Sequence, residues 1–266
     1  MRTIQLVLVL AMALPLAPAA PPAGPPAGES PPAVTTTRAV FDVFAADSGK
    51  KVGAMTLRVT EIPGSVVLET DFASAYKGGE AGYRSVALYR LGAQPVPVRS
   101  SAATRIDQVK LMEGTAEFPA EDASTPKPPV KVTVTGYADL KKRLRQTPEK
   151  LETSIPVPDG LVLTYPAFVF FAPRVLSRAG RLEGVVYAKI PKDLGFPELV
   201  EFVPGCTLVR TDLDDRGNYE VELRQDFPGG NFKLKASAKF DPMDRLVETT
   251  FGQWTIRPAP ADSLAK

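Results

Sequence analysis

Histidine is absent from this chain of 266 residues. Its absence excludes Ser-His-Asp and Cys-His machinery, imidazole general bases and nearly all catalytic zinc sites. An enzyme that uses only carboxylates, as glycosidases do, is the catalytic class that remains. The candidate carboxylates fall mostly on the polar face of alternating segments, and they are Glu69, Asp71, Glu201, Glu220 and Glu222. The sequence therefore predicts a non-enzymatic protein without a cofactor.

Cysteine is almost absent, since Cys206 is the only one. A single cysteine excludes an internal disulfide, so a hydrophobic core must stabilise the fold. Cys206 lies two residues before Leu208 in a predicted strand, which is typical of a buried, small apolar side chain. An intermolecular disulfide or a reactive thiol is the alternative interpretation.

An excess of one charge sign is also missing, because 32 basic residues stand against 30 acidic ones. No extended field of one sign is available to hold a polyanion, so nucleic acid is excluded as a partner. The densest basic cluster consists of Lys141, Lys142, Arg143 and Arg145. We interpret it as the solvated face of a short helix or excursion between Asp139 and Lys150, with contact to anionic lipid or polysaccharide as the alternative.

A metal site finds little support in the sequence. Asp212, Asp214 and Gly217 match the first, third and sixth positions of a calcium-binding loop. Arg216 and Leu223 then stand where the fifth and twelfth positions require oxygen ligands. The Asp, Gly and Asn content of this segment predicts a hairpin turn instead, and we predict no metal site.

Long apolar runs are scarce after the first 20 residues. The strongest, Leu161–Ala172, is about a dozen residues long and contains Pro166, so it is too short to span a bilayer. At the start of the chain, Arg2 precedes the apolar stretch Ile4–Leu16. This stretch is followed by Ala17, Pro18 and Ala19, which place small alanine side chains at the expected cleavage site. These features are typical of a signal peptide, and the next residue is not the cysteine that a lipoprotein would need.

The composition divides the chain into four parts. Residues 1–19 are predicted to be a signal peptide, cleaved after Ala19, so that the mature protein is exported to the periplasm or medium without a transmembrane segment. Residues 20–33 read as a Pro-rich, disordered tether. Residues 34–258 are predicted to form a single β domain, and residues 259–266 a disordered tail.

The alternation of apolar and polar residues predicts that the domain is mainly β. Val130, Val132 and Val134, for example, alternate with polar residues without a fault. About a dozen such strands, separated by Gly, Pro, Asn and Asp turns, predict a large curled antiparallel sheet, a half-barrel or a barrel, with one or two short helices. Pro119–Pro129 is expected to be a long surface loop.

The segment Leu161–Ala172 is the most apolar part of the predicted domain, and it is rich in aromatic residues. Thr164 followed by Pro166 predicts the start of a short helix placed against the curved sheet. Such a helix either fills the core or lines a cavity for an apolar ligand. In the second case the candidate ligand-binding residues are Leu163, Tyr165, Phe168, Phe170 and Phe171.

The order of short motifs resembles that of exported bacterial domains of unknown function whose long antiparallel sheet curls into a half-barrel. The resemblance extends more distantly to the lipoprotein carriers of the bacterial periplasm. It rests on the segments Phe41–Phe44, Lys51–Val59, Ala87–Arg90, Pro158–Gly160, Gly184–Ile190 and Phe240–Leu246. It implies a concave apolar sheet face, partly covered by a helix, which in the carriers holds acyl chains.

Two functions remain open at this point. The first is a non-enzymatic, exported protein that binds a lipid or another apolar small molecule in a β half-barrel. The second is a structural or protein-interaction module of the cell envelope, with a filled core and an envelope protein as its partner. An open apolar cavity of some 300 Å³ or more distinguishes the first from the second.

Overall fold

Fifteen strands and one helix make up the described part of the chain in the computed structural model. The structure describes residues 34–76, 79–107, 109–119, 128–136, 147–176, 180–189, 201–252 and 254–260. The first eight strands are β1 (Thr35–Ala45), β2 (Lys51–Ile62), β3 (Ser65–Tyr76), β4 (Gly79–Arg90), β5 (Val96–Ile106), β6 (Val109–Glu117), β7 (Val130–Gly136) and β8 (Glu149–Ile155). The remaining elements are β9 (Leu161–Leu163), α1 (Tyr165–Leu176), β10 (Arg181–Lys189), β11 (Glu201–Asp212), β12 (Tyr219–Asp226), β13 (Phe232–Phe240), β14 (Leu246–Phe251) and β15 (Trp254–Pro258).

All fifteen strands belong to one curled sheet, in the order β8-β7-β6-β5-β4-β3-β2-β1-β15-β14-β13-β12-β11-β10-β9. Neighbouring strands are antiparallel, except that β9 and β10 are parallel. The first strand pairs with the last, with Val43 opposite Ile256, so β1 and β15 lie next to each other in the middle of the sheet. The predicted mainly β fold with a large curled antiparallel sheet is confirmed, and the sheet is not closed into a barrel.

The two ends of the sheet pack against each other through side chains. Phe118, Val157 and Phe202 pack both on the β6–β7 cluster around Val132 and on the β9–β10 cluster around Val186. The rings of Phe118 and Phe202 lie 6.4 Å apart at a steep angle. This contact closes the curl by apolar packing, while β8 and β9 remain the edge strands of the hydrogen-bonded order.

Helix α1 begins as the Thr164–Pro166 motif predicts. The Phe168 amide donates to the Thr164 carbonyl at 2.7 Å, and Pro166 lies in the first turn, where a missing amide proton costs nothing. The helix runs through Pro173 to Leu176. Pro173 has no amide proton to donate to the Val169 carbonyl, and the Arg174 Nη1 donates to the neighbouring Phe170 carbonyl at 2.8 Å.

Three sequence expectations differ from the structure or fall outside it. Glu149–Ile155 was not predicted as a strand, because this edge strand is largely exposed and alternates only weakly. The alternation predicts two strands, Leu199–Val203 and Cys206–Leu213, but Glu201–Asp212 forms one strand, β11, in which Gly205 has a positive φ of 69°. The helix or excursion expected between Asp139 and Lys150 lies outside the described residues up to residue 146, and its last two residues begin β8 instead. The loop residues 120–127 also lie outside the described residues.

The strands and the helix all belong to one compact unit, Ala33–Lys266. The predicted signal peptide (1–19), the predicted tether (20–33) and residues 261–266 lie outside the described residues. At the predicted start of the tail, the Ala259 amide still donates to the Val40 carbonyl at 2.9 Å. No helix in the described part of the chain has the length and apolar character needed to cross a membrane.

Candidate ligand-binding site

The predicted ligand-binding residues lie in and around α1. Leu163 and Phe168 are completely buried and Phe171 is 2% exposed, and all three belong to the main core cluster. Phe170 is half-buried at the edge of this cluster, and the side chain of Tyr165 lies outside the described side chains. Helix α1 thus packs its buried face on the sheet.

Tyr89 fixes this part of the core from the sheet side. Its ring meets Phe171 edge-on at 5.1 Å, and its hydroxyl accepts from the Thr164 amide at 3.4 Å. Burial holds the pKa of the Tyr89 hydroxyl above its usual range, although the hydrogen bonds with Thr164 oppose the shift. On the outer side of the helix, the Arg174 guanidinium lies 3.7 Å above the Phe170 ring and pairs with Glu61. Through these contacts α1 is packed against the concave face of the sheet on both of its sides.

Burial is incomplete elsewhere on the concave face. We call Phe72, Phe251 and Trp254 the aromatic rim, because these large side chains pack against the core while remaining partly exposed. The rings of Phe72 and Trp254 are 5.8 Å apart, and Trp254 pairs with Phe251 across the β14–β15 hairpin. The ring of buried Tyr187 on β10 lies 6.5 Å from Phe251. The rim therefore spans the concave face from β3 to the β14–β15 hairpin.

Hydroxyl side chains surround Phe72 on the same face. We call them the hydroxyl cluster: Thr70, Ser74, Tyr83, Ser85 and Thr104. The register places Ser85 opposite Thr70, and Tyr83 opposite both Phe72 and Thr104. Because side chains alternate between the faces of a strand, these residues share the concave face with buried Leu68. Three adjacent strands thus carry polar groups side by side on a face that is otherwise mostly apolar.

Two hydroxyls of this cluster are buried without a hydrogen-bond partner within the described part of the chain. Thr70 is 4% exposed and Thr104 is 3% exposed, and neither Oγ1 has a partner there. An unpaired buried hydroxyl costs about 1 to 3 kcal/mol, whereas valine, which has nearly the same shape, carries no such penalty. Burial also raises the pKa of the Tyr83 hydroxyl, against the opposing effect of a hydrogen bond with Ser85. The cluster is polar, uncharged and energetically unfavourable.

A second feature lies on the convex face of β1–β4. It is a depression of about 350 Å³, and the side chains that line it include Arg38, Ala54, Thr56, Arg58, Glu69, Asp71, Ala73 and Arg84. Glu69 accepts hydrogen bonds from Arg58 at 3.2 Å and from Arg84 at 3.5 Å. Exposed ion pairs of this kind contribute at most about 1 kcal/mol each. The predicted placement of Glu69 and Asp71 on a polar face is consistent with this position.

The described residues contain no group of three or more metal-ligating side chains. The calcium-like segment is the turn between β11 and β12, where the Asp214 carboxylate accepts from the backbone amides of Arg216 and Asn218. These hydrogen bonds use the carboxylate within the turn, as the hairpin interpretation expected. Cys206 is a buried free thiol whose pKa burial raises, so its interpretation as a small apolar core residue is confirmed.

No family model, curated protein or solved structure matches this chain. The resemblance to exported half-barrel domains and lipoprotein carriers therefore remains an expectation from the sequence. The aromatic rim and the hydroxyl cluster were not singled out from the sequence. One signal was present, because Thr70 and Ser74 occupy positions of β3 where the alternation calls for apolar residues.

Proposed function

We propose that this chain is an exported, non-enzymatic binding protein that holds a lipid or another acyl chain on the concave face of its sheet. The observation that carries the proposal is the aromatic rim, where Phe72, Phe251 and Trp254 remain partly exposed inside the curl. Apolar side chains gathered in a concavity are the usual lining of a small-molecule site. The fully buried residues of α1 would limit how far such a ligand extends along the concave face.

The expected driving force is the burial of methylene groups. Each methylene that leaves water contributes about 0.8 kcal/mol. A bound chain also covers the exposed parts of Phe72 and Trp254, which already touch each other at 5.8 Å. Affinity should therefore rise by up to about fourfold with each methylene added, until the chain outgrows the site.

Trp254 provides a direct test because it is the only tryptophan in the chain and lies in the rim. Titration with 1-decanol and 1-dodecanol should shift its emission to shorter wavelength, saturably, and more tightly for the longer chain. Phe72→Ala should weaken binding at least tenfold, because it removes a ring that contacts Trp254. The expected measurement is a fluorescence titration at concentrations below the solubility limit of each alcohol.

Phe232→Ala is the matched control. This phenylalanine is 49% exposed, and the Arg224 guanidinium lies 4.2 Å above its ring, away from the rim. The control should bind the alcohols as the unmodified protein does. An emission spectrum that does not respond to either alcohol, or a shift that Phe72→Ala leaves unchanged, would contradict the proposal.

A structural or protein-interaction module of the envelope is the second candidate. The observation that favours it is the convex depression, where three arginines face two carboxylates and present a polar, mostly cationic surface. In that case the rim only completes the core and binds no small molecule. The alcohol titration separates the two candidates, because only the binding protein responds to it.

A further inference from the structure

We propose that the ligand of this site is a neutral amphiphile, an acyl or alkyl chain ending in an uncharged hydroxyl or ester group that hydrogen-bonds in the hydroxyl cluster. This inference rests on the proposed function, and it specifies which chemical class the site selects. It starts from the two hydroxyls of Thr70 and Thr104, which are buried and have no partner in the described residues. A site that binds only hydrocarbon would leave both hydroxyls unpaired, and their burial would remain unfavourable.

The register brings the polar and apolar parts of the site together. Phe72 lies two residues from Thr70 on β3, and its partner across the β3–β4 pair, Tyr83, stands opposite Thr104. A chain lying along Phe72 and Trp254 can therefore place its end among these hydroxyls. Ser85, opposite Thr70, is only half-buried, so this part of the concave face is not sealed.

The choice of an uncharged head group follows from where the charges lie. The charged side chains in the middle of β3 and β4 are on the convex face, where Glu69 pairs with Arg58 and Arg84. Arg105 of β5 lies near Asp71 on that face as well. Among the described side chains, the polar groups on the concave face of these strands are uncharged hydroxyls. An ionised head group placed there would lose its hydration without gaining a counter-ion.

The test compares 1-decanol, 1-chlorodecane and decanoate at pH 8, with Trp254 emission as the readout. The three probes share a chain length and differ in their end group. We expect the unmodified protein to bind decanol about tenfold more tightly than chlorodecane, which cannot donate a hydrogen bond, and more tightly than ionised decanoate. Equal affinities for decanol and chlorodecane, or tightest binding of decanoate, would overturn the inference.

The double variant Thr70→Val/Thr104→Val tests whether these two hydroxyls cause the preference for decanol over chlorodecane. It should lose the tenfold preference for decanol, keep its affinity for chlorodecane and unfold at the same or a higher temperature, because no hydroxyl is left unpaired. Thr133→Val, on the polar face of β7, is the matched control and should change neither affinity. A variant that keeps the decanol preference would overturn the inference. If none of the probes binds the unmodified protein, the proposed function itself fails.

Discussion

Phe171→Ala is expected to lower the free energy of unfolding by about 3 to 5 kcal/mol. The ring is 2% exposed and contacts Tyr89 at 5.1 Å and Phe170 at 4.9 Å, so its removal leaves a cavity between α1 and the sheet. Part of the loss is the free energy that the unmodified protein gains when the phenylalanine ring leaves water on folding, which the alanine variant does not gain. The rest is the cavity, because a packed interior relaxes only partially around it.

Urea denaturation followed by far-ultraviolet circular dichroism measures this loss. Phe232→Ala serves as the control, because its exposed ring should contribute less than about 1 kcal/mol. A loss from Phe171→Ala that is no larger than that of the control would contradict core packing. It would instead favour the hypothesis that the aromatic residues of α1 line a cavity.

Gly160→Ala is expected to cost about 2 to 6 kcal/mol. Gly160 precedes β9 with a φ of 126°, a conformation that alanine rarely adopts, and a Cβ there would lie 2.1 Å from the Gly184 carbonyl oxygen. The unfavourable backbone and the displaced neighbour each contribute about 1 to 3 kcal/mol. The substitution therefore forces β9 away from β10, the strand with which it pairs.

Gly184→Ala separates the two contributions. Gly184 also has a positive φ, of 71°, but a Cβ at this position would meet nothing within 4 Å. Its alanine variant should therefore lose only the backbone contribution, about 1 to 2 kcal/mol. Equal losses in the two variants, measured by the same urea titration, would show that the close approach of Gly160 to β10 is unimportant.

Local patterns were sufficient to predict much of the fold. Strands such as β2 and β7 alternate between a buried and a polar face, which is the signal that a sheet with one buried face leaves in its sequence. The start of α1 was likewise predicted from Thr164 and Pro166. Glu149–Ile155 was missed because an edge strand with both faces mostly in water has little need of alternation.

The candidate site was less accessible from the sequence because it depends on strand order. Phe72 and Trp254 are far apart in the chain and meet only because β1 pairs with both β2 and β15. No local pattern specifies that pairing. The sequence instead drew attention to the densest aromatic segment, and the structure places Phe168 and Phe171 of that segment in the packed core. The density of aromatic residues thus indicated burial for Phe168 and Phe171, whereas the aromatic rim is assembled from two distant segments of the chain.

Native mass spectrometry of the protein, purified without added detergent from the cells that express it, tests the central claim most directly. We expect a one-to-one adduct with the mass of an uncharged lipid or acyl compound, present on the unmodified protein and on Phe232→Ala. The adduct should be lost from Phe72→Ala. A spectrum that shows only the ligand-free protein, even after incubation with a lipid extract of the same cells, would contradict the account.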